Sequence, residues 1–269
     1  MWNIKLFKAR FFNLLRSLNL RLKFKDARQK WKVIKCAVAG RSHIKSNTPC
    51  QDKVCSLVRG EVCVLALCDG AGSARLSHFG ARAAASRVCA LLSKKFDEYF
   101  ALNEADLRAK ILEILLQKLQ KKAEFLDCKT SDLASTLLFV AIKNDKFILA
   151  HIGDGLIGCL KNGVLSVLSL PQNGEFINTT TFITSPNAQM RILRQNLDGT
   201  NAFVLMSDGT ETGLYDKKEQ RLASVLKDIM QRLMSEGSKA LQSQLVRSFE
   251  EVVVQKTMDD CSIIIAAKG

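Results

Sequence analysis

Four apolar runs in this chain meet an aspartate at one end. Val62 to Cys68 stops on Asp69-Gly70-Ala71-Gly72, Phe147 to Ile152 leads to Gly153-Asp154-Gly155, Phe203 to Ser207 leads to Asp208-Gly209, and Asp259-Asp260 stands just before Cys261 to Ala267. An acid in such a place sits where a buried strand ends, and the neighbouring glycine lets backbone or a ligand approach closely. In an antiparallel sheet the end of one strand lies beside the start of its neighbour, so acids after some strands and before another can meet at one sheet edge. Carboxylates crowded into a poorly solvated space repel, and protonation or bound cations must relieve them. The set has no Cys or His at ligand spacing, and an all-oxygen donor set suits hard ions such as Mg²⁺ or Mn²⁺ rather than a structural zinc. Asp-Gly by itself is also the strongest short hairpin signal, and Asp198-Gly199 reads as a plain turn. The conjunction of several strand-abutting acids separates the others from that reading.

Rigid elements have to hold these acids. Val33 to Ala39 reads as a first strand, followed by a polar loop from Gly40 to Cys50, and Gln51-Asp52 opens a second strand toward Leu57. Ser77 to Phe100 reads as a helix with Ala81, Ala84, Ala85, Val88, Leu91, Leu92 and Phe96 on its apolar side, and Asn103 or Asp106 caps a second helix reaching Leu126. Leu133 to Ile142 and Lys146 to Ile152 form one hairpin, and Leu156 to Leu160 and Val164 to Leu168 a second. Residues 171 to 200 are polar and weakly periodic, which predicts a flap or irregular insertion near the site. Leu222 to Met234 and Lys239 to Val252 read as helices, and Ser262 to Ala267 closes the sheet. Strands interrupted by two helical pairs imply an α+β fold, with two sheets packed face to face and helices outside.

With 269 residues and an apolar fraction of 47%, the chain is one good-sized domain with an appendage. Its formal net charge is +14, and residues 1 to 32 hold ten Lys or Arg against a single acid, Asp26. That segment has no Gly or Pro, and Phe7, Phe11, Leu14, Leu15, Leu18 and Leu22 recur at helical spacing. Its cations interrupt the apolar face too often for a membrane span, and no cleavage site follows an apolar region. Two readings stay open: a basic amphipathic helix on an anionic membrane surface, or a helix docked on the domain or on a partner protein. Nothing in it reads or stacks on bases, so nucleic acid is not an expected partner. The nine cysteines include no Cys-x-x-Cys pair, and free thiols in odd number with no secretory signal suit a reducing cytoplasm.

Gln51-Asp52, Asp69-Gly70-Ala71-Gly72, Ala134-Ser135-Thr136, Gly153-Asp154-Gly155, Ser207-Asp208-Gly209 and Asp259-Asp260-Cys261-Ser262 stand in an order that resembles the metal-dependent protein phosphatases of the 2C type. The resemblance covers residues 33 to 268 and is closest to the compact bacterial branch, whose early motif reads like Ser42-His43 followed by Pro49-Cys50-Gln51-Asp52. It implies a four-layer α/β/β/α sandwich over a catalytic domain at 33–269, preceded by the basic helix at 1–32. It further implies hydrolysis of phosphoserine and phosphothreonine in proteins by a metal-activated water, with a protein kinase acting in the same pathway. Two Mg²⁺ or Mn²⁺ ions are implied: Asp69 bridges both, the Gly70 carbonyl ligates one, Asp208 and Asp259 complete the other shell, and Asp52 ligates or orients a water. Asp154 matches the position of a third ion.

This chain departs from the better-known members at three places. Gln51 replaces a Glu, Ala71 stands where a His would protonate the leaving group, and Asn47 replaces the Arg that grips phosphate. His43 and His78 are candidates for the missing proton donor, and Arg41, Lys45 or Arg75 for the missing cation. His151 and Ser135-Thr136 read as packed, hydrogen-bonded residues rather than a ligand and a nucleophile. The same departures keep open a catalytically weak scaffold that binds phosphoproteins or a membrane-associated partner.

Overall fold

The computed structural model describes residues 30–171 and 180–269. The expected basic helix at 1–32 therefore lies outside the described residues up to residue 29, Trp31 and Lys32 belonging to the first strand, and the first part of the expected flap, 172–179, also lies outside them. Two five-stranded antiparallel sheets form the centre of the molecule. One contains β1 (Trp31–Val38), β6 (Leu156–Lys161), β7 (Val164–Ser169), β9 (Thr200–Met206) and β12 (Cys261–Lys268), in the order β1-β12-β9-β6-β7. The other contains β2 (Lys53–Arg59), β3 (Val62–Cys68), β4 (Leu137–Lys143), β5 (Lys146–Ile152) and β8 (Arg191–Asn196), in sequence order, and β10 (Tyr215–Asp216) with β11 (Arg221–Leu222) makes a small two-stranded ribbon.

The period of two along a strand explains why β3 is apolar throughout. Cys63, Leu65 and Leu67 point into the layer between the sheets with Leu138, Val140, Phe203, Leu205 and Ile264. Val62, Val64, Ala66 and Cys68 point the other way, toward the helices. On that outer face lie α2 (Ser77–Ala101) and α3 (Glu104–Leu126). Alanines 81, 84 and 85 of α2 pack there, and Gly80 lets the helix approach the turn ahead of β4, because a Cβ on it would run into the Leu133 carbonyl. The buried stripe of α3 is narrow, with Leu107, Ile111, Leu115, Leu119 and Ala123 at every fourth position. The Asn103 side chain caps it, accepting from the Asp106 amide at 2.9 Å.

Across the other sheet, α5 (Val225–Ser235) and α6 (Ser238–Ser248) cover Ile34, Val204, Ile263 and Ile265 with Leu226, Met230, Leu233, Leu241 and Leu245. The order of layers is thus helix, sheet, sheet, helix, as expected.

Three local expectations are corrected. The loop after β1 contains a helical turn, α1 (Arg41–Ser46), none of whose residues is buried, and it is held from outside: the Ser42 amide donates to the Met258 carbonyl at 3.1 Å and Arg41 Nε to the Thr257 carbonyl at 3.0 Å. Within 171–200, residues 191–196 form β8 at the sheet edge, pairing with β5 from Lys146↔Asn196 to His151↔Arg191. The fourth strand begins at Leu137 rather than Leu133, because Thr130–Leu133 winds into a 3₁₀ turn first.

Candidate metal centre

Strand register brings the acids together. Lys53 pairs with Cys68, so Asp52 just before β2 and Asp69 just after β3 flank one end of that antiparallel pair. Met206 pairs with Ile263, which brings the start of α4 (Asp208–Leu214), after β9, near Asp259, ahead of β12. Asp154 lies in the turn from β5 to β6. Carboxylate oxygens of Asp69, Asp154 and Asp208 lie within 4.8 Å of one another. Asp69 follows a strand of one sheet and Asp208 a strand of the other. The cluster therefore sits at the mouth between the two sheets, not on the edge of a single one.

The backbone beneath the acids is fixed by hydrogen bonds. Thr136 closes a pair with Asp69, its amide donating to the Asp69 carbonyl at 2.8 Å and its Oγ1 accepting from the Asp69 amide at 2.9 Å. The Ala71 amide donates to the Ala134 carbonyl at 3.0 Å. Gly153 has φ +108, a conformation that L side chains rarely adopt, and a Cβ there would strike the Thr136 side chain. His151, buried in β5, supports the same turn: one ring nitrogen lies 2.9 Å from the Gly153 carbonyl and the other 2.7 Å from Ser169 Oγ, which itself accepts from Arg191 Nη1 at 2.8 Å. The carbonyl can only accept, so Nε2 carries the proton, and burial pushes the ring down to about 3. His151 is a satisfied core residue, as its apolar setting suggests.

Crowding shows in the acidities. Burial, then the charges of Asp52, Asp208 and Asp259, hold Asp69 well above the usual carboxylate range. Burial, then Asp259 and Asp154, push Asp208 up to about 6. Asp52 is pushed to about 7 chiefly by burial; the nearby Ser262 and Ser207 hydroxyls oppose the rise, yet neither carboxylate oxygen receives a hydrogen bond of ordinary geometry. Asp259, at the exposed rim, is raised by partial desolvation first. A buried carboxylate with nothing donating to it is costly, and a set of oxygen donors with this deficit fits a hard divalent cation.

Asp260 has a different task. Its buried carboxylate accepts from the Gly40 amide at 2.7 Å and the Gln51 amide at 2.5 Å, and lies 2.8 Å from His43 Nδ1. It pins α1 and the entry of β2 to the loop that carries Asp259. Asn47 closes α1 at φ 53, so the position of the family's phosphate-gripping Arg is here a left-handed helix cap. Arg41 is anchored at Thr257, Lys45 is exposed on α1, and Arg75 is exposed in a cleft with Asp127, Cys128, Lys129 and Asp132. His78, on the first turn of α2, has its ring tilted against that of Phe79 with centroids 4.2 Å apart, and burial followed by Lys53 and Arg82 lowers its pKa.

One acid escapes the sequence reading. Glu211, on α4, is fully buried with no ordinary hydrogen bond to either oxygen, and burial pushes it to about 7, with Asp208 and Asp154 adding to the rise. Lys217 Nζ lies 3.5 Å away. The only hint in the sequence is an acid three residues after Asp208, on the next turn of a short helix.

The family model described as Protein phosphatase 2C matches residues 39–249. Serine/threonine-protein phosphatase 3 of Escherichia coli strain K12 is 29% identical over 170 residues, covering 60% of this chain and 66% of its own, so the match spans just under two thirds of that relative. Among solved structures, the S. agalactiae serine/threonine phosphatase superposes with a TM-score of 0.61 at 16% identity, over 89% of this chain and 100% of that one. The Mycobacterium tuberculosis phosphatase PstP/Ppp superposes with a TM-score of 0.58 at 15% identity, over 88% and 98%.

Proposed function

The chain belongs to the protein phosphatase 2C family of serine/threonine phosphatases, and from that premise we propose that it removes phosphate from phosphoserine and phosphothreonine in proteins at the cluster around Asp69. The observation that carries this reading is the meeting of Asp69, Asp154 and Asp208 oxygens within 4.8 Å at the mouth between the sheets. Asp69 and the Gly70 carbonyl, Asp208 and Asp259 would hold two Mg²⁺ or Mn²⁺ ions, with Asp52 beside them and Asp154 available to a third. Bound there, the ions supply Lewis acidity and a nucleophile derived from water at neutral pH.

The protein's own residues would do the rest. Arg41 is the best-supported cation for the phosphate: among the described residues only its Nε is engaged, with the carbonyl of Thr257, two residues before Asp259. A guanidinium held by one nitrogen keeps its remaining donors for phosphate oxygens. His43 is the best-supported proton donor for the leaving alkoxide. Its Nδ1 lies 2.8 Å from the buried Asp260 carboxylate, which fixes the ring and leaves Nε2 as the nitrogen that would serve the leaving group. Ala71 leaves that task open, and the Asp260 network offers a replacement from another part of the chain.

Residues 1–29, with their basic amphipathic pattern, would attach the enzyme to an anionic membrane surface on the cytoplasmic side; no described helix is long and apolar enough to cross a membrane. The partners so implied are phosphorylated proteins and the kinase that makes them.

A panel of phosphoserine, phosphothreonine and phosphotyrosine peptides with Mn²⁺ tests the substrate class. Turnover of the first two above the third supports it. Preference for phosphotyrosine rejects the substrate class, and no turnover of any peptide by folded protein across both metals rejects the enzyme in favour of a phosphoprotein-binding scaffold.

A further inference from the structure

Cys55 and Cys89 make a thiol pair outside the phosphatase site. All nine cysteines are free, and Cys50, Cys55 and Cys128 are the three that are partly exposed. Cys55 sits on β2 opposite Ala66 of β3, and its side chain packs under α2 against the core that contains Cys68 and Cys89. Cys89, on α2, is buried with its Sγ 3.9 Å from the carbonyl of Val64. Val64 is two residues from Ala66 on β3, so the Cys89 thiol lies over the sheet beside Cys55.

The surroundings separate Cys55 from the other accessible thiols. The Cys89 thiol, helped by the Lys35 ammonium and the Ser86 hydroxyl and opposed by burial, lowers Cys55, while the same contact and burial raise Cys89. Lys35 Nζ is fixed nearby, 3.0 Å from Ser56 Oγ. Burial and then the Asp260 charge push Cys50 up to about 12, and Cys128 is raised by desolvation and Asp132. A partly exposed thiolate beside a second thiol is the arrangement that reacts with peroxides and then forms a disulfide.

We propose that Cys55 is a site of oxidation by hydroperoxides, and that Cys89 resolves the product into an intramolecular disulfide joining β2 to α2. The Cys55 sulfur attacks the terminal peroxide oxygen, the O–O bond breaks, and the peroxide is reduced to an alcohol or water as Cys55 becomes a sulfenic acid. The Cys89 sulfur then displaces hydroxide: the S–O bond breaks, the S–S bond forms, and the Cys89 proton leaves with the hydroxide as water. Two thiols are oxidised and one peroxide is reduced.

The test treats the folded full chain with limiting hydrogen peroxide, alkylates the remaining thiols and maps the peptides by mass. A Cys55–Cys89 linked peptide is expected in the wild type, a Cys55 sulfenic acid captured by a dimedone probe in Cys89→Ser, and neither product in Cys55→Ser. The wild type also needs no variant for a second readout: at neutral pH, Cys55 should be alkylated by iodoacetamide about tenfold faster than Cys50 or Cys128. Oxidation of Cys50 or Cys128 ahead of Cys55, a Cys55–Cys68 link in place of the expected one, or equal alkylation of the three exposed thiols would overturn the assignment. Phosphatase activity enters none of these measurements.

Discussion

Repulsion among buried carboxylates has a cost in the metal-free protein, and Asp69 carries the largest share because Asp52, Asp208 and Asp259 all act on it. Asp69→Asn removes one charge while keeping the shape, so two opposite effects are expected from it. Its metal-free melting temperature should rise above that of the wild type, while turnover of a phosphothreonine peptide should fall by about a hundredfold or more. A melting temperature that drops in the variant would mean that Asp69 stabilises the fold rather than straining it. His43 calls for a different readout, since removing it also loosens Asp260. With His43→Gln, a phosphothreonine peptide, whose alkoxide leaves poorly, should be turned over about a hundredfold more slowly. With p-nitrophenyl phosphate, whose leaving group needs no proton, the loss should stay within about threefold. Equal losses on both substrates would make His43 purely a structural residue.

At the scale of elements, the site depends on turns that hold strand ends still. Gly153→Ala places a side chain at φ +108 against Thr136, and should cost about 1–3 kcal/mol of stability, read as a lower denaturation midpoint. Asn103→Ala, which removes the cap of α3 far from the acids in sequence, should cost about 1 kcal/mol and leave turnover unchanged. Much of this was legible in the sequence. Asp69 and Asp208 stand out because a long apolar strand ending on Asp-Gly is a local pattern, and the two hairpins from Leu137 to Ser169 carry their turns at Asn144 and Asn162, both left-handed. Other parts carry no local signal. As an edge strand, β8 has only Ile192 buried among Arg191, Arg194, Gln195 and Asn196, so no apolar run marks it. Both α1 and Asp260 owe their places to bonds between residues more than two hundred positions apart. The Asp52 environment likewise depends on Ser207 and Ser262, which only the fold brings near.

For the molecule as a whole, the acids join two sheets at their open end, so protons, cations and stability are linked. Asp52 and Asp208 have folded pKa values raised to about 7 and about 6. A raised carboxyl binds its proton more tightly in the folded state than in the unfolded one. Its contribution is therefore full below the unfolded value of about 4 and is lost as pH climbs through the folded values. In EDTA, the melting temperature should fall between about pH 4 and pH 7, more steeply than in Asp69→Asn, and added Mn²⁺ should restore it at pH 7.5. A flat profile in EDTA would contradict the shifted acidities. Deleting residues 1–29 should leave peptide turnover intact and abolish binding to vesicles containing anionic lipid; loss of turnover instead would show that the segment belongs to the catalytic unit. The central claim meets its most direct test in phosphate release from a phosphothreonine peptide as Mn²⁺ is titrated, with wild type and Asp69→Asn side by side. Release by the wild type should rise from nothing to saturation with metal and be absent in the variant. Release without metal, or an Asp69→Asn enzyme with wild-type turnover, would contradict it.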